Sequence, residues 1–154
     1  MIAPQFLKRE HNALKRLFVE LRRTRPRAHR KRREIIERIA TELEIHARIE
    51  DELFYPAIAE LPDAGHIVSE ARADHEAVDE VLRELQALDP GDAASNDKAL
   101  ELREIVIAHA TDEELDVFPL AERLGPARLA DIGTQLEARK RTLLQQPAAR
   151  RTAA

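Results

Sequence analysis

The chain has 154 residues, with 29 acidic against 25 basic side chains for a formal net charge of −4, and it contains no cysteine. That length suits one domain with a real core and leaves little room for a second, while the acidic balance argues against general affinity for nucleic acid. Without cysteine, neither disulfides nor thiolate zinc sites can serve the fold, so any metal must be taken by nitrogen and oxygen.

Four glycines, 3% aromatics and an abundance of Ala, Leu, Glu and Arg make an all-α chain, because these residues lose little rotamer freedom in a helical turn. The N-terminal MIAPQFLKREH lacks an apolar signal core, and no run approaches the roughly 20 apolar residues of a bilayer span. A cytoplasmic protein without membrane or nucleic-acid partners is the expectation.

Pro4 suits the first turn of a helix, and Leu7, His11, Leu14, Phe18 and Leu21 follow at alternating spacings of four and three. The pattern stops in RRTRPRAHRKRR, Arg22 to Arg33, which has no interleaved aromatics to stack on bases and reads as a solvated helix end and turn around Pro26. A second seam resumes as Ile36, Ile39, Leu43, His46, Glu50, Leu53 and Ala57, with Pro56 placed to kink or end it. Pro62 and Gly65 mark a turn. The third seam is Val68, Ala71, His75, Val78, Leu82 and Leu85, and Asp89-Pro90-Gly91 opens the one long polar loop. Asp97 or a neighbour is placed to cap the fourth helix, whose seam reads Leu102, Val106, His109, Glu113, Asp116 or Val117, then Leu120, with Pro119 in the role of Pro56. Beyond Gly125-Pro126, Leu129, Ile132, Leu136 and Leu143 predict a fifth, amphipathic helix. The expected architecture is an antiparallel up-down four-helix bundle over about residues 6–124 with a C-terminal helix at about 126–146, one domain spanning 1–146, and a frayed tail over 147–154.

Each of the four seams replaces a core residue with histidine, and two replace another with glutamate one turn later. His46 and Glu50 share a helix face, and HARIEDELFYP recurs at His109 as HATDEELDVFP, with His46, Ala47, Glu50 and Pro56 matching His109, Ala110, Glu113 and Pro119. At 1.5 Å per residue, His11 lies roughly 20 Å above the first turn and His46 roughly 25 Å above it. The same bookkeeping sets Glu50 and His75 each about 18 Å from the second turn, and His75 and His109 about 21 and 18 Å from the third. All four histidines therefore fall in one layer. Burying an unpartnered carboxylate or imidazole costs several kcal/mol, and six of them would consume a total stability of roughly 5–15 kcal/mol. A metal centre satisfies all six together. His29 and His66 lie off this layer and read as structural or solvent residues. Tyr55, nine residues after His46, falls near the opposite side of its helix and reads as packing rather than as a ligand.

Four imidazoles and two carboxylates suit iron, with zinc or manganese as substitutes, better than magnesium or calcium. Two ions fit better than one. With Glu50 and Glu113 bridging and a shared oxo or hydroxo group, about two of roughly twelve coordination positions stay open for a small molecule.

The arrangement His…HxxxE…His…HxxxE on four helix seams resembles the hemerythrin-like proteins with the HHE cation-binding domain, and ELEIHARIEDELFYPAI is especially similar to the short actinobacterial members. The resemblance implies a non-haem di-iron centre held by His11, His46, Glu50, His75, His109 and Glu113, with both glutamates bridging. The chain departs from the oxygen carriers in lacking a second third-helix histidine, the neighbours of His75 being Ala71 and Asp79, and in offering Glu113 four residues after its histidine where those proteins offer an aspartate five after. The vacated position is open unless Glu42 or Asp79, each one turn from a ligand histidine, fills it.

These departures favour two-electron peroxide chemistry over reversible oxygen carriage. The reading is a di-iron protein handling hydrogen peroxide, oxygen or nitric oxide, with peroxide decomposition the favoured activity and Glu50 or Glu113 as proton acceptor, in a monomer or homodimer. The alternatives are a non-catalytic sensor or store for oxygen, nitric oxide or iron, and a metal-free interaction bundle.

Overall fold

The structure, a computed structural model, describes residues 1–147. Helix α1 (Ala3–Arg22) carries Pro4 in its first turn, where the missing N–H has no partner to lose. Helix α2 (His29–Ile49) runs back beside it and passes through a π turn, Glu50–Phe54, into α3 (Tyr55–Ile58). Helices α4 (Gly65–Ala87) and α5 (Ala93–Asp112) form the second pair, and α5 in turn passes through a π turn, Glu113–Val117, into α6 (Phe118–Ala121). Helix α7 (Pro126–Leu144) completes the described elements. Part of the tail expected over 147–154 lies outside the described residues.

The two π turns correct the expectation that Pro56 and Pro119 kink or end their helices. A proline ring collides with the carbonyl four residues back and offers no N–H to it. Here the turn widens by one residue just before each proline, Tyr55 N–H donating to Glu50 O and Phe118 N–H to Glu113 O, and the helical path continues. The fourth helix also starts earlier than expected, with Asp92 rather than Asp97 at its N-cap and no side-chain cap bond.

α1 packs on α2, α4 on α5, α1 on α5 and α2 on α4, which closes the square of the up-down bundle. α7, whose place the sequence left open, lies along α1 and α2. It buries Leu129, Ile132, Leu136 and Leu143 against a second apolar face that includes Phe6, Ile45 and Ile49, each side chain contributing on the order of 1.5–3 kcal/mol. Gly133 lets it approach closely, since a methyl there would overlap the Met1 carbonyl oxygen.

The core is divided into two apolar clusters. One gathers Leu14, Phe18, Ile36, Ile39, Leu82 and Leu102; the other gathers Leu7, Ile49, Phe54, Tyr55, Ile58 and Phe118. The histidine layer lies between them. At the far pole most of the basic segment is exposed, but Arg32 is buried and clamps the α1–α2 turn to the α4–α5 loop. Its guanidinium donates to Pro90 O at 2.8 Å, to Thr24 Oγ1 at 2.6 Å and to Asn96 Oδ1.

Candidate metal centre

The structure brings all six seam residues together. Glu50 and Glu113 are 0% and 2% exposed, His11, His46 and His109 are buried, and the His75 side chain is 9% exposed. Glu50 Oε1 lies 3.0 Å from His46 Nε2 and 3.2 Å from His75 Nε2. Glu113 Oε1 lies 3.3 Å from His11 Nε2, and its Oε2 lies 3.6 Å from His109 Nε2. The ligand atoms form two adjacent groups, His11, His46, Glu50 and Glu113, and Glu50, His75 and His109, each with all atoms within 4.8 Å of one another. Glu50 belongs to both.

These donors fit a cation better than they fit each other. His11 Nε2, His46 Nε2, both oxygens of Glu50 and Glu113 Oε1 are buried without an aligned hydrogen bond, an arrangement that water or neighbouring side chains ordinarily relieve. Nitrogen and carboxylate lone pairs converging on one enclosed spot are the donor set of a borderline transition metal.

Carboxylates behind the imidazoles orient them. Glu114 Oε2 accepts from His11 Nδ1 at 3.1 Å, Asp74 Oδ2 accepts from His109 Nδ1 at 3.0 Å, and Asp51 Oδ1 faces His75 Nδ1 at 3.3 Å. Such outer partners fix the tautomer and raise ligand basicity. The sequence reading missed these three acids. The signal was in the repeat: an acidic residue follows the glutamate in both halves, as Asp51 and Glu114, and one precedes the histidine of α1 and of α4, as Glu10 and Asp74.

The ionisation of the cluster follows from burial and crowding. For Glu113, burial and then the neighbouring Glu50 charge push the carboxyl up to about 8. Burial also opposes the Glu50 charge, but the His46 and His75 rings outweigh it and hold that carboxyl well below the usual range. The two carboxyls are thus pushed apart, Glu113 toward its neutral form and Glu50 toward its charged one. His75 is disfavoured as a cation by burial, yet Asp51 and Glu50 more than compensate and raise it to about 10. His109 is lowered, burial being the largest cause.

Tyr55 corrects the sequence reading. Its ring is packed in the core, but its hydroxyl donates to Glu113 Oε2 at 2.6 Å and lies 3.3 Å from His75 Nε2 and 3.5 Å from His109 Nε2. Counting 3.6 residues per turn placed it on the opposite side; the π turn inserts the extra residue that carries it back under Glu50. Its counterpart in the second half is Phe118, whose ring stacks on His11 at 6.0 Å. The two candidate additional ligands are held elsewhere: Glu42 accepts from Lys140 Nζ at 3.0 Å, and Asp79 from Arg83 at 2.9 Å on the surface. His29 and His66 lie on the surface, beside Asp89 and Glu70.

Comparison with known proteins agrees with this geometry. The family model described as the hemerythrin HHE cation binding domain matches residues 3–121. The chain is 30% identical over 149 residues to an uncharacterized protein of Mycobacterium tuberculosis, covering 96% of this chain and 90% of that one, and equally similar to one of Mycobacterium bovis. The crystal structure of a hemerythrin HHE cation-binding domain-containing protein from Mycobacterium kansasii superposes with a TM-score of 0.83 at 27% identity, covering 93% of this chain and 87% of that one.

Proposed function

This chain belongs to the hemerythrin family, defined by the HHE cation-binding domain, and from that premise we propose that its buried cluster holds two iron ions and decomposes hydrogen peroxide. The observation that carries the reading is the pair of adjacent donor groups sharing Glu50, with the inward atoms of His11, His46 and Glu50 and one oxygen of Glu113 unsatisfied. His11, His46, Glu50 and Glu113 would hold one ion, and Glu50, His75 and His109 the other, with the Tyr55 hydroxyl as an additional oxygen donor beside the second. When bound, the pair supplies two-electron redox chemistry and Lewis acidity at peroxide oxygen.

The chain's own residues supply proton handling. Glu113 is fully enclosed and, without an ion, keeps a proton up to about 8, so near neutral pH it sits close to the balance a general acid–base group needs. The Tyr55 hydroxyl donates to it at 2.6 Å and holds the carboxyl in place. Glu50 is held in its charged form by the His46 and His75 rings. The apolar clusters flank the layer on both sides, and a low local dielectric strengthens the charge interactions inside it.

The same proposal places the protein in the cytoplasm; no helix of the described residues is long and apolar enough to cross a membrane. Oxygen release from peroxide by the iron-loaded protein, lost in His46→Ala with the fold intact, is the expected result. A visible spectrum that responds to oxygen or nitric oxide without any turnover of peroxide would replace this reading with a sensor or store.

A further inference from the structure

The site is built with an internal two-fold: His11, His46, Glu50, Asp51 and Tyr55 correspond to His75, His109, Glu113, Glu114 and Phe118. The outer carboxylates obey it for three imidazoles. Glu114 and Asp74, the latter the residue before His75, hydrogen-bond His11 and His109, and Asp51 stands at ion-pair distance, 3.3 Å, from His75 Nδ1 without an aligned hydrogen bond. By the same symmetry Glu10, the residue before His11, is the acid for His46. It is not there. His46 Nδ1 is buried with no hydrogen-bond partner and, unlike His75 Nδ1, has no carboxylate of the described residues at ion-pair distance, while both oxygens of Glu10 accept from Lys140 Nζ of α7 at 2.8 and 2.6 Å.

Lys140 reaches in from outside the four-helix layer. Its ammonium also takes Glu42, one turn before His46, at 3.0 Å, and Arg139 beside it holds Glu52 at 2.7 Å. Glu10 is itself only 6% exposed, so this charge pair sits in a poorly screened environment and holds the carboxylate firmly. α7 has no counterpart in the other half, and so nothing withdraws Asp74 from His109.

We infer that Lys140 is a positioning residue that makes the two metal positions unequal: by drawing Glu10 away from His46, it leaves the position at His11 and His46 the weaker and more exchangeable one. An imidazole backed by a carboxylate is the better donor, and outer-sphere partners of this kind change metal affinity by about 10–100-fold. The position at His75 and His109, where both rings face a carboxylate, retains its ion, and the other gives its ion up first. This rests on the cluster binding two metal ions, as proposed above, but not on what those ions do.

Zinc tests it without redox chemistry. Competitive calorimetric titration of the wild-type protein with zinc is expected to resolve two events about 10–100-fold apart. Lys140→Met frees Glu10 to swing to His46 and strengthens the weaker event by roughly tenfold or more, leaving the tighter one in place. Glu10→Gln changes neither constant in the wild-type background but abolishes the gain in the Lys140→Met background, and Lys140→Arg behaves as wild type. Should Lys140→Met not fold, Asp74→Asn provides the mirror test, weakening the tighter event and closing the gap. Two zinc constants that do not move in Lys140→Met, or an equal gain in Lys140→Met/Glu10→Gln, overturn the inference and leave the proposed function standing. A folded protein that takes up no zinc, iron or manganese overturns both, and two unequal zinc sites in a protein inert to peroxide overturn the proposed function alone.

Discussion

Tyr55→Phe is the sharpest single perturbation of the centre because it deletes one oxygen and leaves the ring packing intact. The ring is fully buried against Phe54 and His75, so no cavity opens. What is lost is the 2.6 Å hydrogen bond to Glu113 Oε2, which His109 Nε2, 3.6 Å from that oxygen, is too far away to replace. A buried hydrogen bond to a carboxyl that is partly ionised near neutral pH falls between the neutral and charged cases, about 2 kcal/mol. For a chain of this size that lowers Tm by about 4–8 °C. Thermal unfolding of the metal-free protein at pH 7, followed by circular dichroism, measures it. A Tm within about 1 °C of wild type would show that the hydroxyl does not bond Glu113, and the assignment of Tyr55 to the centre would fall with it.

Two further outcomes follow from the packing of α7 and the charges of the centre. Gly133→Ala places a methyl against the Met1 carbonyl and the Ala3 backbone, neither of which is a flexible side chain, so α7 or the start of α1 must shift; overpacking of this kind costs about 1–3 kcal/mol, and an unaltered Tm in thermal unfolding would refute the close approach. The metal-free protein is expected to lose stability as pH rises from about 5 to 10: Glu113 and His75 have folded values raised to about 8 and about 10, and a raised group contributes stability fully present below its unfolded value that is lost as pH climbs through the folded one. Metal loading, which needs those protons removed, strengthens over the same range, so Tm of the metal-free and loaded proteins should diverge with pH; a metal-free Tm that rises between pH 6 and 9 contradicts this.

Much of the fold and centre was legible in the chain itself. The seam spacing of Leu7, His11, Leu14 and Phe18 and its three successors specified helices with polar groups at core positions, and the 1.5 Å rise levelled the histidines, because both depend only on local helical geometry. The repeat around His46 and His109 likewise announced two halves of one site. What escaped were features that depend on a departure from regular geometry or on a partner remote in sequence. The π turns at Glu50–Phe54 and Glu113–Val117 rotate everything after them, so a strict 3.6-residue count sent Tyr55 to the wrong side. Glu42 lies one turn from His46 and had the right spacing for a ligand, but an ammonium from a helix almost a hundred residues away holds it.

The sequence by itself determined that four helices would align four imidazoles and two carboxylates, since helix periodicity converts spacing into direction. Only the tertiary structure decided where the fifth helix docks, which acid stands behind which imidazole, and that a tyrosine hydroxyl joins the layer. Those outcomes are set by contacts between elements whose separation along the chain carries no information about their distance in space.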